Sequence, residues 1–326
     1  MKVISTCILL FFALSANAQQ DFLTTQFWNT YTHINPATSG LEYDHFGTIM
    51  YRRQWDKVNG APEDIIANYS TVLGRGLRVQ PLKSRHGLGI NFNQSSIGFT
   101  RSTELNLNYN YQITLGTRKG AAQRLSIGLS AGIAEFRMDP EWVPPTTLND
   151  ASLPTAFSVI EPNFNAGIAY KGKTLFAGVG VTHVSAPSFT SSDPLNPVTY
   201  NSARHYYAMG AYSFILGEKG AFELKPQLIV RTDAVKISSD INLLASYTIA
   251  DKQRIWIGAG YRTSDAIAFM AGWDIFKRYR IGYSYDYTIN KLSSISRGSH
   301  EFVLGFMLNY KPRPRTIHFP PPPDKI

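Results

Sequence analysis

The 326-residue sequence holds a single cysteine, Cys7. A chain so poor in thiols cannot be stapled by disulfides or build a cysteine-ligated metal site. Histidine offers no substitute, because His33, His45, His86, His183, His205, His300 and His318 never fall at HxxxH or HExxH spacing. The Gly-rich stretches "GLGINF" (87–92) and "GAGYRT" (258–263) lack the GxxxxGK[ST] pattern and the strand-to-helix setting of a phosphate loop. In "GSHE" (298–301) the adjacent Ser299 and His300 would leave a strand on opposite faces, out of reach of one another. No catalytic, cofactor-binding or metal-binding residue is therefore expected, and an enzyme is not. Long apolar runs are lacking too: past the leader, nothing approaches the roughly 20 apolar residues of a spanning helix. Any membrane protein made from this chain has to be a β-barrel, the other structure that satisfies its whole backbone in hydrocarbon.

What is present begins with "MKVISTCILLFFALSANAQQ". Lys2, a short apolar stretch over 3–14 and Ala16-Asn17-Ala18 read as a secretory signal (1–18) cleaved near Ala18. Cys7 lies within it, so the exported chain would hold no cysteine. The formal net charge is +9. An exported protein rarely meets nucleic acid, so the charge points to anionic lipid headgroups, lipopolysaccharide or an acidic partner, or to solvated loops.

The dominant pattern is a period of two. In "ELNLNYNYQ" (104–112), Leu105, Leu107, Tyr109 and Tyr111 alternate with Glu104, Asn106, Asn108, Asn110 and Gln112. Such alternation marks a strand with one apolar and one polar face. "RIGYSYDYT" (280–288) and "EFVLGFMLNY" (301–310) repeat it. Fourteen runs of this kind are expected, at about 45–53, 63–73, 86–95, 98–112, 122–136, 164–170, 173–183, 203–214, 221–230, 238–249, 252–261, 265–274, 278–287 and 299–310. The polar faces carry mostly Asn, Ser, Gly and Thr rather than Lys and Glu, which suits a wet barrel interior. Leu107→Arg should then cost about 2–4 kcal/mol near mid-bilayer, and Asn108→Ser, on a wet wall, should be nearly silent. Tyr109, Tyr111, Tyr206, Tyr207, Tyr261, Tyr283, Tyr285 and Tyr310 fit interfacial girdles or ordinary strand composition. The longest links, 137–163 and 184–202, follow odd-numbered strands, and short ones at 171–173, 250–252 and 275–277 follow even-numbered ones. The long basic link at 74–85, after the second strand, departs from this parity, and by the remaining links both chain ends are expected on the periplasmic side.

The expected fold is all-β: a transmembrane antiparallel barrel of about 14 strands over 45–310, with an N-terminal plug-like or periplasmic segment over 19–44. A Pro-rich periplasmic tail (311–326) follows. Its Pro320, Pro321, Pro322 and Pro323 form either a polyproline II rod for partner docking or a disordered end.

Two stretches carry more than a barrel pattern: "QFWNTYTHINPATSG" (26–40) and "YRRQWDKVNGAPED" (51–64). With "GLGINFNQSSIG" (87–98) and "GSHEFVLGF" (298–306), they resemble the PorP/SprF family of type IX secretion system membrane proteins. The motif positions are Gln26, Asn35, Pro36, Ala37 and Gly40, then Arg53, Gln54, Trp55, Gly60, Ala61 and Pro62. Physically, Asn35-Pro36 favours a turn, Trp55 would sit near the outer interface, and Gly60-Ala61-Pro62 would turn the chain into the second strand. The resemblance implies a non-enzymatic barrel in the outer membrane of a Gram-negative bacterium, supporting export or surface anchoring of cargo such as adhesins in gliding motility. It also implies partners among periplasmic and outer-membrane secretion components and the C-terminal domains of cargo. A transporter for hydrophobic small molecules, built on fourteen strands and a plug, is the alternative; an outer-membrane hydrolase ranks behind both.

Overall fold

The computed structural model describes residues 22–73, 84–118, 121–139, 156–193, 197–217, 220–249 and 253–309. The leader, Tyr310 and the tail with Pro320, Pro321, Pro322 and Pro323 lie outside them. The alternating runs form strands β1 (His45–Arg53), β2 (Glu63–Val72), β3 (Ser84–Ile97), β4 (Thr100–Arg118), β5 (Ala121–Met138), β6 (Phe157–Lys171) and β7 (Leu175–Thr182). A hairpin of β8 (Ser188–Thr190) and β9 (Thr199–Asn201) follows. Next come β10 (His205–Tyr212), its continuation β11 (Phe214–Leu216), β12 (Phe222–Thr232), β13 (Ile237–Thr248), β14 (Arg254–Arg262), β15 (Ala266–Ile275), β16 (Tyr279–Thr288) and β17 (Ser299–Leu308).

Neighbours pair antiparallel, with β7 against β10 and β10 against β12. β1 pairs with β17 from His45↔Leu308 to Arg53↔His300, which closes the sheet. Counting β10 and β11 as one stave, the closed barrel has fourteen, the expected number. Closure leaves no free edge, the condition for a sheet in hydrocarbon. Among the described residues no helix is long and apolar enough to cross a membrane. We call the end where β1 begins and β17 stops proximal, and the opposite end distal.

The faces are inverted relative to a soluble protein. Leu107 is 62% exposed on the outside while Asn108, next to it, is 2% exposed inside. Ile49, Ile65, Leu129, Ile257, Phe269 and Leu304 continue the outward apolar band, and Arg52, Asp64, Asn68, Asn91, Asp286 and Glu301 face in. Tyr109 and Tyr111 point outward beside His86, whose Nδ1 lies 2.8 Å from the Tyr109 hydroxyl. Tyr207 departs from the girdle expectation and is buried inside. Its neighbour Tyr206 takes the outward face, and consecutive strand residues cannot share one.

β6 starts earlier than its apolar pattern predicted, at Phe157 rather than near 164. Glu161-Pro162 hides this half in the sequence, since proline donates no ladder hydrogen bond. The fold tolerates it because β6 meets β7 only over Ala166–Lys171, so Pro162 pairs on one side alone, with Ile133 of β5. The β8–β9 hairpin was not expected at all, being two three-residue strands inside a long link.

Candidate functional site: the plugged lumen

Residues 22–44 lie inside the barrel, touching strands all round it. The segment has little regular structure of its own: a 3-10 turn at Phe27–Asn29, one helical turn α1 (Tyr31–Ile34) and a second 3-10 turn at Pro36–Thr38. So short a path leaves many backbone carbonyls without local partners. In a buried setting each must find a donor.

The inward Asn and Gln side chains supply those donors. Asn91 Nδ2 and Asn108 Nδ2 donate to the Thr32 carbonyl at 2.7 and 2.8 Å. Asn108 also donates to Ser39 Oγ at 3.1 Å. Asn110 Nδ2 donates to the Pro36 and Ser39 carbonyls at 3.1 and 2.6 Å, and Gln112 Nε2 to Ser39 O at 3.1 Å. Asn68 reaches Asn29 O at 2.9 Å, and Asn242 reaches Thr25 O at 2.8 Å. The Asn face does line the wet interior as expected, but Asn108→Ser should not be nearly silent, because these amides hold the plug.

Asn35 works in the other direction. Its Oδ1 accepts from Ala37 N at 3.0 Å, which sets the turn at Pro36, and its Nδ2 donates to the Ile168 and Val179 carbonyls of β6 and β7 at 3.1 Å each. Asn35 itself is extended (φ −152°, ψ 100°), as a residue before proline prefers. The wall is thinned where the plug comes closest. A Cβ at Gly180 would collide with the Ile34 carbonyl, and one at Gly128 with the backbone of Ala37.

The upper part of the plug is held by charge. Arg52 Nη2 and Nη1 pair with Asp286 at 2.7 Å and Glu301 at 3.2 Å, and Arg262 pairs with Asp286 at 3.2 Å and Asp240 at 3.1 Å. Thr25 sits in the middle: its hydroxyl donates to Asp286 at 2.7 Å and accepts from Arg52 and Arg262 at 3.1 and 3.2 Å. Glu301 accepts the backbone N–H groups of Thr25 and Gln26, both at 2.8 Å. Lower down, Arg280 donates to Asn29 Oδ1 at 2.9 Å. At the foot, Arg85 Nη2 donates to the Gly40 carbonyl at 3.1 Å, and Glu42 pairs with Lys171 at 3.5 Å. Partial desolvation pushes the half-exposed Glu42 carboxyl up, but Lys171, Lys225 and Arg280 outweigh it and hold it down to about 2.

The motif positions divide into two places. Gln26, Asn35, Pro36, Ala37 and Gly40 belong to the plug, where Gly40 takes the left-handed φ of 65°. Arg53, Gln54, Trp55, Gly60, Ala61 and Pro62 form the distal β1–β2 hairpin. There Gln54 N donates to Pro62 O at 2.9 Å, Ala61 N to Val58 O at 3.2 Å and Trp55 N to Ser299 Oγ at 3.1 Å. Arg53 faces outward between Asp56 and Glu63. Arg52, beside it, is the arginine the plug depends on. Sequence reading passed over Arg52, Arg262, Asp286 and Glu301, although strand parity already set Arg52 on the face of Thr48 and Met50, opposite Ile49 and Tyr51.

Above the plug, at the distal end, lies a cavity of about 310 Å³ bounded by Phe22, Phe99, Phe136, Phe189, Tyr200 and Glu104. The β8–β9 hairpin folds over its edge, stacking Tyr200 on Phe136 at 4.0 Å.

A closed fourteen-stave barrel, apolar outside and polar inside, with its own N-terminal segment in the lumen, is a transmembrane β-barrel of the outer-membrane type. The model of the PorP/SprF family, type IX secretion system membrane proteins, matches residues 16–306, and the chain belongs to that family. Solved structures with a similar fold include the Ralstonia pickettii toluene transporter TbuX, at 11% identity over 85% of this chain and 92% of that one, TM-score 0.49. The CymD monoaromatic hydrocarbon channel is 11% identical over 86% and 93%, TM-score 0.49. The P. putida toluene transporter TodX is 10% identical over 85% and 92%, TM-score 0.41. Comparison with curated proteins finds no match.

Proposed function

We propose that this barrel serves type IX secretion from the outer membrane of a Gram-negative bacterium, as a non-enzymatic support for the export or surface anchoring of cargo such as adhesins. The observation that carries the reading is family membership together with a lumen occupied by the chain's own residues 22–44, bonded to strands on every side. A barrel so filled acts through its surfaces. The proximal rim faces the periplasm and meets secretion components and the C-terminal domains of cargo, while the outer face meets lipid and lipopolysaccharide. The signal is removed near Ala18. The plug motif around Asn35 and Pro36 and the hairpin around Trp55 and Gly60 shape the two ends, and Pro320, Pro321, Pro322 and Pro323 are the candidate docking residues for a partner.

Deletion of the gene tests this reading. Loss of surface adhesins, with periplasmic secretion components recovered by pull-down from native membranes, supports it, and a deletion strain that secretes and displays all its adhesins normally overturns it. The aromatic distal cavity favours a second reading, passage of hydrophobic small molecules, which predicts apolar ligand density between Phe136 and Phe189 and slower uptake in the deletion strain.

A further inference from the structure

The foot of the plug borders a second cavity whose empty space the secretion reading does not use. It lies in the proximal half of the lumen, between Trp28, Tyr31 and Glu42 of the plug and the walls of β12 to β16, and measures about 80 Å³. That is several times the ~10–15 Å³ one water needs.

Its lining combines spare positive charge with unpartnered donors. Three of its cations are committed: Lys171 to Glu42 at 3.5 Å, Arg254 to Glu223 at 2.7 Å and Arg280 to Asp274 at 2.8 Å. Lys225 lines the same cavity and makes no ion pair among the described residues. Gln227, two residues along β12 on the same face, is 2% exposed, and both its side-chain polar atoms lack a partner. The Tyr31 hydroxyl and the Trp256 indole N–H are likewise buried without one. Burial and the nearby Glu42 push the Tyr31 hydroxyl far above its usual range, so it remains a donor. Orphaned donors at a buried site are costly unless a ligand or water satisfies them. Their convergence beside an ammonium that has no ion-pair contact of its own marks a place built for negative charge.

We propose that this cavity binds one small oxyanion, a carboxylate or an inorganic phosphate, held chiefly by Lys225 and Gln227 and completed by Tyr31 of the plug. The bound anion would neutralise the surplus cation and link the plug's foot to the wall. Glu42 and Asp274 make their close ion pairs with Lys171 and Arg280, which leaves the Lys225 ammonium without a contact partner.

The test uses the full-length barrel purified in detergent and titrated calorimetrically with sodium phosphate or sodium acetate, against sodium chloride at equal ionic strength. Saturable binding is expected for at least one oxyanion and not for chloride, and whichever of the two binds identifies the class. Lys225→Met should weaken it at least tenfold and Lys225→Arg should largely keep it, with an unchanged urea midpoint showing that both variants fold. Gln227→Leu gives a second, uncharged probe of the same site. Equal or absent heats in wild type and Lys225→Met, or a high-resolution map with water alone in the cavity, overturn the proposal.

Discussion

Arg52 Nη2 lies 2.7 Å from Asp286 Oδ2 inside the barrel, with both side chains fully buried and the Thr25 hydroxyl against both. One of these residues sits near the end of the first stave and the other near the end of the penultimate one. The pair therefore joins distant parts of the chain beside the closing seam and fastens the plug there. Removing one partner of such a pair strands the other in the dry interior, at a cost of about 3–5 kcal/mol. Asp286→Asn should lower barrel stability by that order, read as a shift in the urea unfolding midpoint in lipid vesicles. Arg53→Gln, outward and half-exposed between Asp56 and Glu63, should shift it by less than ~1 kcal/mol.

The Asn ladder separates two ideas about the lumen. If these side chains only faced water, Asn108→Ser would be silent; since Asn108 donates to Thr32 O and Ser39 Oγ, shortening it should cost about 1–2 kcal/mol. Leu107→Arg, one residue away on the lipid face, should cost about 2–4 kcal/mol near mid-bilayer. Equilibrium unfolding of the two variants side by side checks both numbers. Only the Asn108 variant should also loosen the plug, seen as faster proteolysis before residue 45.

This contrast marks how far the sequence could be read. Alternation in β4 assigned every side chain from Leu105 to Gln112 to its face, because the period of two is a property of the strand alone. The sequence left segment 19–44 as either plug or periplasmic, and which amides hold it was not visible, since hydrogen bonds such as Asn91 to Thr32 span many residues and leave no local pattern. The same limit explains Arg52. Its role comes from Asp286 and Glu301, which only barrel closure brings near. β6 was half hidden by Pro162, whose tolerance rests on the absence of β7 beside it. Three-residue strands such as β8 and β9 carry no period to detect.

Close approach gives a different test of the plug. A side chain at Gly180 would meet the Ile34 carbonyl, and one at Gly128 the Ala37 backbone, so neither can be accommodated without moving the plug. Gly180→Val should leave the outer face unchanged yet expose the segment. With Thr24→Cys as a reporter, maleimide labelling should be slow in the otherwise native barrel, where Thr24 is buried, and at least tenfold faster with Gly180→Val. In planar bilayers the same variant should conduct ions more strongly than wild type, and equal conductance would place the barrier elsewhere.

Glu42 adds a pH dependence at the proximal end. Its half-exposed carboxyl is held down to about 2 from an ordinary value of 4.5, with Lys171, Lys225 and Arg280 outweighing the partial desolvation that pushes it up. A depressed carboxylate contributes stability that is fully present above its unfolded value and fades as pH falls towards the folded one. Attachment of the plug's foot should thus be constant from neutral pH to about 5 and weaken between about 4.5 and 2. Proteolysis of the plug by an acid-active protease across that window measures it. Glu42→Gln should flatten the profile there, because an amide has no proton to gain and Lys171 has already lost its partner at every pH.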